Sequence, residues 1–530
     1  MLPMLNRRSA VVHPRASSTS AVEDSNRKHA ALRVHFGWSD FWLIVGGGFY
    51  LLLNLFNFHG IPFLLGGDQA YFWVYAQRLL AGERIYRDFF QFPPPGADLV
   101  YFAAFRLFGP QIWIPNLIVM LLGVILCWVC FRIGLAFLTR HQAMLAAFLF
   151  LVVLYGKLIN ATHHWFSELA VLGAVAILLQ GRTTRRLAIA GVLLGAATFF
   201  TQTRGPMAAA GIVAFLAWET YDKKDHWLSY FKKTSVLAVP MIASWAALSS
   251  YFIVTIGCRE LWYWQVSYVT HYRVTGPRTL GLPSDLIETR LGSYQQYLVY
   301  LLIPVMYAAS LWLFRGSHCD ATREVTSRRL LLTLAGLATA VEVAQSPNWL
   351  RVYCVAAPAI ILLVWFADKA GILHRFLMGL MWVVVVCLAI VQIRGRHREQ
   401  SQIVHIPTGT VASNRISAAR LEWVAAHTHP GDFFFQAAWP GLYFPLQLRN
   451  PVFAGDFMPN DLTQPDLVAD SIRQVDEKRV RYILWEPRLN SPLEPEHPET
   501  YHLAPFRDYM SKHYRRVYLF ADQQEIWERI

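Results

Sequence analysis

Long apolar runs separated by short basic loops constrain this chain more tightly than any other feature of its sequence. They fall at roughly 39–58, 111–131, 142–157, 166–180, 187–201, 205–220, 236–256, 294–314, 330–346, 352–367 and 376–394, and most approach the ~20 apolar residues that a helix needs to cross a bilayer. A soluble chain of 530 residues with 55% hydrophobic residues and 19 tryptophans would leave much of that apolar surface in water. The pattern predicts a polytopic α-helical membrane protein with about eleven transmembrane helices.

Charge gives the orientation. Residues 1–38 are polar and contain Arg7, Arg8, Arg15, Arg27, Lys28 and Arg33; the segment is too long for the n-region of a secretory leader and is expected to be a disordered cytoplasmic tail. With that tail inside, the short inside loops carry nearly all the Lys and Arg, from Arg132 and Arg140 through Lys369 and Arg375, while the short outside turns hold only Lys157, Arg204 and Arg351. By the positive-inside rule, 39–394 is then a transmembrane domain whose first loop, 59–110, is extracytoplasmic, and 395–530 lies on the same outer side. Basic loops beside anionic lipid account for much of the net charge of +13, so no nucleic-acid partner is expected. Cys127 and Cys130 form a C-x-x-C within an apolar run and read as small buried side chains; no disulfide framework is visible.

The first outer loop is the most informative stretch. In GGDQAYFWVYAQRLLAGERIYRDFFQFPPPG, from Gly66 to Gly96, Phe72, Trp73, Tyr75, Ala76, Leu79 and Leu80 recur at helical spacing after Asp68, and Gly82 marks the stop. Pro93, Pro94 and Pro95 stiffen the exit, and Ala97 to Phe108 carries a second amphipathic pattern before Gly109-Pro110. Asp68 fits an N-cap and fits equally a carboxylate held at the membrane surface for proton transfer. Asp88 fits a turn carboxylate paired with Arg84 or Arg87, or a second functional acid.

This loop resembles the first extracytoplasmic loop of the GT-C membrane glycosyltransferases, in the branch of the protein O-mannosyltransferases and the bacterial aminoarabinose and lipopolysaccharide-core sugar transferases (families 39 and 83). Asp68, Tyr71, Ala76, the LLAGERIYRDF run from Leu79 to Phe89 and the PPG from Pro94 to Gly96 carry the resemblance. Many relatives have an Asp-Glu pair where this chain has Asp68-Gln69. The resemblance implies a GT-C fold in a bacterial inner membrane, a polyprenyl-phosphate sugar as donor, and a cell-envelope lipid, glycan or protein as acceptor. It implies Asp68 as catalytic base, with Asp88 standing in for the acid absent at Gln69.

Polar groups at the other outer turns are the remaining candidates, because burial at membrane depth is costly for groups that serve no purpose. In KLINATHHW these are Lys157, His163 and His164, with Glu168 one turn on. Neighbouring histidines on a helix point apart, so no metal site is expected there. Arg204 in FTQTRGP is the one charge of its hairpin and fits a lipid phosphate or ordinary snorkelling. The aromatic stretch WYWQVSYVTHYRVTG, bearing Arg273, suits either the membrane interface or stacking on sugar faces. In SPNWLRVYCVAAP, Arg351 and Tyr353 match positions where the family holds donor phosphate.

Beyond 395 charges become frequent. Helical patterns at 411–427, 461–476 and 502–513 alternate with strand-like runs from Asp432 to Ala437, Arg479 to Trp485, Arg516 to Phe520 and Glu525 to Trp527, predicting an α/β domain. It has no P-loop or dinucleotide fingerprint, and no cofactor is implied. A transporter or lipid flippase, or a non-catalytic envelope-assembly scaffold, is the rival reading. A transporter places its ionisable groups near mid-membrane, whereas these cluster at the outer turns.

Overall fold

The computed structural model describes residues 36–272, 291–314, 320–344, 349–493, 495 and 497–530. Nearly all of the expected N-terminal tail, and Arg273, lie outside the described residues. Each apolar interval is helical. The chain forms α1 (Trp38–Leu55), two loop helices α2 (Gln69–Leu80) and α3 (Gly96–Phe108), then α4 (Trp113–Gly134), α5 (Arg140–Leu149, continued by a π-helical turn at Phe150–Tyr155), α6 (His163–Leu179), α7 (Thr184–Phe200), α8 (Arg204–Asp222) and α9 (Trp227–Ile256). After them come α10 (Leu291–Phe314), α11 (Asp320–Ala344), α12 (Trp349–Cys354), α13 (Ala357–Asp368) and α14 (His374–Glu399). Among the described residues, three helical stretches, Trp113–Gly134, Trp227–Ile256 and Gly371–Glu399, are long and apolar enough to cross a bilayer.

Polarity is reversed relative to a water-soluble bundle. Val239, Ile242 and Val254 on α9 and Phe376, Val383 and Val391 on α14 are exposed, whereas Arg204, Glu168 and Glu219 are buried. Apolar side chains facing outward with charges packed inside is what a hydrocarbon solvent selects. Helix contact is governed by small residues: a Cβ on Gly191 or Gly195 of α7 would stand 2.2 Å from the Leu237 carbonyl oxygen and 2.3 Å from that of Met241 on α9. The two backbones meet only because those side chains are absent.

The C-terminal region begins with an antiparallel hairpin of β1 (Gln402–Ile406) and β2 (Gly409–Ser413). Val411 to Ser413 are therefore strand, not the start of the expected helix, because Ala412 also exchanges backbone hydrogen bonds with Pro62 and Leu64 of the first loop. Then follow α15 (Arg415–His427), β3 (Phe434–Gln436), α16 (Pro465–Glu477), β4 (Tyr482–Trp485), α17 (Ala504–His513), β5 (Tyr514–Leu519) and β6 (Glu525–Arg529). The sheet order is β3-β4-β6-β5; β3 and β4 are parallel, joined through α16, and the other pairs are antiparallel. Phe435, Phe457, Ile483, Trp485 and Phe506 fill its core.

This domain is seated on the first loop. Phe90 N–H donates to the Phe453 carbonyl at 2.8 Å, Ile112 N–H to that of Thr408 at 3.0 Å, and Phe105 stacks on Phe444 with centroids 4.7 Å apart. Trp264 of the aromatic stretch wedges against Phe90 and Phe453, and Tyr268 against Phe90. Those two rings pack protein on protein.

Candidate active site

Asp68 immediately precedes α2, but it does not cap it: the residue is itself right-handed helical in backbone (φ −53°, ψ −26°), and its side chain accepts no hydrogen bond from the helix. An Asp N-cap needs an extended backbone to fold its carboxylate over the first turn. The carboxylate is thus left unspent. It is open to solvent at its surface, yet the protein crowded around it removes enough water to raise its pKa above the ordinary value. Gly82, with φ +87°, ends the helix as its spacing predicts.

Gln69 explains why the acid beside Asp68 is missing. It is buried; its amide donates to the Gly66 carbonyl at 3.1 Å and its amide oxygen accepts the Ala161 N–H at 3.2 Å. A carboxylate could accept the second bond but not donate the first. Gln69 thereby fastens the start of α2 to the Lys157–Thr162 turn, and Phe72 one turn on packs edge-to-face on His163, 5.8 Å between centroids. Gln69 and Phe72 thus join α2 to the segment that carries Lys157 and His163.

Asp88 is a correction to the sequence reading. It is exposed, and its carboxylate accepts the Arg84 N–H at 2.8 Å, so it closes a turn. Its carbonyl accepts from Arg78, near the far end of α2, about 15 Å along the helix from Asp68 at 1.5 Å per residue. It cannot replace an acid at position 69. The third aspartate of the loop, Asp98, is fully buried against the Gln91 amide and faces no solvent.

Arg204 is a second correction. It is fully buried at the start of α8, where its Nε donates to Glu342 at 2.8 Å and Nη1 to Glu168 at 3.2 Å; Thr203 Oγ donates to Glu342 at 2.6 Å. Two of its nitrogens are committed to carboxylates, and the guanidinium is shut away from solvent. The cost of burying Glu168 and Glu342 is what holds Arg204 inside.

The other candidates divide. Lys157 is half-buried beyond the π-helical turn and has no ion-pair partner among the described residues, leaving its charge available to an anion. His163 and His164 do not point apart: their ring centroids are 3.9 Å from each other, because Thr162 is extended and His163 opens the helix. His163 Nδ1 bonds Thr201 Oγ at 2.9 Å. Among the described residues no group of three or more metal-ligand side chains occurs. Arg351 is half-buried on α12, which packs against α6; Tyr353 beside it is fully buried, its hydroxyl without a hydrogen-bond partner among the described residues.

Residues that the sequence did not reveal come from the C-terminal domain. Tyr71, one turn after Asp68 on the same face of α2, donates its hydroxyl to Asp456 Oδ2 at 2.5 Å. Burial, opposed by the Tyr71 bond and Arg488 and reinforced by the negative field of Asp68, pushes the Asp456 carboxyl up to about 6. Tyr71 also packs on Trp439, 5.8 Å between centroids, and the Arg488 guanidinium lies 5.5 Å from the Trp439 ring. Trp439 follows β3 and Arg488 follows β4, so both stand at the carboxyl ends of parallel strands, where open α/β sheets present their binding residues. No local pattern marks Asp456 in AGDFMPND; only the docking of the two domains brings it to Asp68.

No family model and no curated protein matches the chain by sequence. Its architecture does have solved counterparts. The crystal structure of ArnT from Cupriavidus metallidurans bound to undecaprenyl phosphate superposes over 92% of this chain and 98% of that one, with a TM-score of 0.56 and 13% identity. The archaeal oligosaccharyltransferase AglB from Archaeoglobus fulgidus, in complex with an inhibitory peptide and a dolichol-phosphate, covers 93% and is covered to 74%, with a TM-score of 0.51 and 12% identity. The chain has the GT-C fold. Its long apolar helices fit a membrane protein, and Tyr71 of the first loop meets Asp456 of the C-terminal domain one turn from Asp68.

Proposed function

We propose that this GT-C chain is an inverting glycosyltransferase that moves a sugar from a polyprenyl-phosphate donor to a hydroxyl of a cell-envelope acceptor. The observation that carries this reading is the Asp68 carboxylate, unspent on its helix and beside the uncompensated Lys157 turn. The undecaprenyl phosphate and dolichol-phosphate held by ArnT and AglB support a lipid-phosphate donor.

The acceptor oxygen attacks the anomeric carbon while its proton passes to a carboxylate oxygen of Asp68. The bond from anomeric carbon to phosphate oxygen breaks, and its electron pair leaves with the lipid phosphate. Lys157, supported by Arg351, offsets the charge gathering on that phosphate. A single displacement assisted by one base inverts the anomeric centre. The positive-inside distribution supports eleven spans in a bacterial inner membrane, with 59–110 and 395–530 on the extracytoplasmic face. A lipid-borne donor suits that face, where no nucleotide site is needed.

The test is sugar transfer by purified protein supplied with polyprenyl-phosphate sugars and envelope acceptors. Asp68→Asn should lower the rate by about 100-fold or more, as loss of a general base does, with the melting temperature retained. Full activity in Asp68→Asn, or no donor consumption by wild type with any sugar, overturns the reading.

A further inference from the structure

We propose that Trp439, Asp456 and Arg488 form an acceptor subsite for an uncharged saccharide, so that the hydroxyl glycosylated by this enzyme belongs to a sugar. The inference rests on the glycosyltransferase reading and adds the acceptor's chemical class to it.

Trp439 retains 37% of its surface on a domain whose other aromatic side chains near this edge, Phe435, Tyr443, Phe444 and Phe457, are buried. Its ring is held by Tyr71 on one side and the Arg488 guanidinium on another. A half-exposed indole is a platform for the apolar C–H face of a pyranose or furanose ring. Beside it, Asp456 spends Oδ2 on Tyr71 and leaves Oδ1 with no protein donor among the described residues, while Arg488, anchored to Glu486 at 2.9 Å, keeps further N–H groups. Sugar hydroxyls donate and accept at once, and this pair meets both needs.

The charge balance selects among acceptors. Tyr71, one turn after Asp68, holds Asp456 by its hydroxyl and so brings a second carboxylate to the side of α2 that carries Asp68, and Glu486 compensates Arg488. A phosphorylated or carboxylate-bearing acceptor would enter against two like charges; a neutral glycan would not. Tyr71 fixes the geometry, because it sits one turn from Asp68 and holds Asp456, placing a hydroxyl bound to Oδ1 on the side of the proposed base.

The experiment uses the full chain in lipid nanodiscs, since maltoside detergents would compete. Saturation-transfer NMR is recorded with methyl glycosides of glucose, galactose, mannose and arabinose, without donor. At least one should receive saturation from wild type, lose it with Trp439→Ala, and regain it with Trp439→Phe, which keeps a ring. In transfer assays Trp439→Ala and Asp456→Ala should raise the acceptor KM by about tenfold, the worth of one such contact, with donor KM unchanged. The inference is overturned if no glycoside is saturated by wild type, if Trp439→Ala leaves saturation intact, or if transfer goes to hydroxyl peptides alone. Asp68→Asn should leave glycoside saturation unchanged. Glycoside binding that depends on Trp439 without donor consumption would sink the transferase and leave the subsite standing.

Discussion

Two acid clusters lie in this protein, and they are built in opposite ways. Glu168 and Glu342 clasp Arg204 among the helices; Glu168 and Arg204 are fully buried there and Glu342 is partly buried. Asp68 and Asp456 meet where the first loop touches the C-terminal domain, and no cation pairs with either at contact distance among the described residues; their one fixed bond comes from the neutral Tyr71 hydroxyl. The inner cluster ties α6, α8 and α11 together through its one cation. The outer one is open, short of partners and electrostatically strained, which is the condition in which a carboxylate takes up a proton. Which acids act is decided by what each carboxylate lacks.

The contrast is broken most forcefully at Arg204. Arg204→Met leaves Glu168 and Glu342 buried without their cation, a loss of about 3–5 kcal/mol for a disrupted buried pair. The expected result is a sharp fall in yield and thermal midpoint, measured by fluorescence-detected size exclusion after heating, with activity lost only in proportion to folded protein. Asp68→Asn should do the reverse, losing turnover and keeping its midpoint. If Arg204→Met folds normally and abolishes transfer, the cluster takes part in the chemistry and the division between the two regions fails.

Most of the helical fold was legible because hydrophobic runs of bilayer length and a basic loop bias are local signals, and α2 and α3 announced themselves by spacing and a terminal glycine. The sheet domain was legible in its strands β3 to β6 but not in the β1–β2 hairpin, whose partner Pro62 lies some 350 residues earlier in the chain. The place of Asp68 at the start of α2 was legible through its surroundings in the loop. At Asp88 and Arg204 the sequence shows that a charge is present but not that a backbone N–H or two glutamates engage it. Asp456, Trp439 and Arg488 stayed hidden because their role exists only across a domain contact.

Gln69 and the solution pH sharpen the outer cluster. Gln69→Glu removes the donor to the Gly66 carbonyl and sets a second negative charge beside Asp68, so it should destabilise by about 1–3 kcal/mol, as an unsatisfied buried polar group does. Refolding of Gln69→Glu at wild-type stability would show that the bond to the Gly66 carbonyl is dispensable. With pH, activity and stability should move in opposite directions. Asp68 must be ionised to accept a proton and its pKa is raised, so the rate should fall on acidification at a pH above the ~3.9 of a free Asp. The Asp456 pKa is also raised in the folded state, to about 6, so its favourable contribution is present below the unfolded value and fades as pH rises through about 6. Thermal melts from pH 4 to 7 should show that loss in wild type and lack it in Asp456→Asn, which stays neutral throughout.

The smallest effect is expected at Asp88, and it tests whether proximity in sequence to the Asp68 motif carries function. Its carboxylate is exposed and holds one N–H, that of Arg84, in a turn already closed by the backbone bond from Asp88 N–H to the Arg84 carbonyl at 2.9 Å. Asp88→Asn keeps an acceptor oxygen of the same reach, so stability should change by no more than about 0.5 kcal/mol, the usual bound for an exposed site, and transfer rates should stay within about twofold. A loss at Asp88→Asn approaching that of Asp68→Asn would mean that the far end of α2 reaches substrate after all, and the active carboxylates would have to be sought along the whole loop.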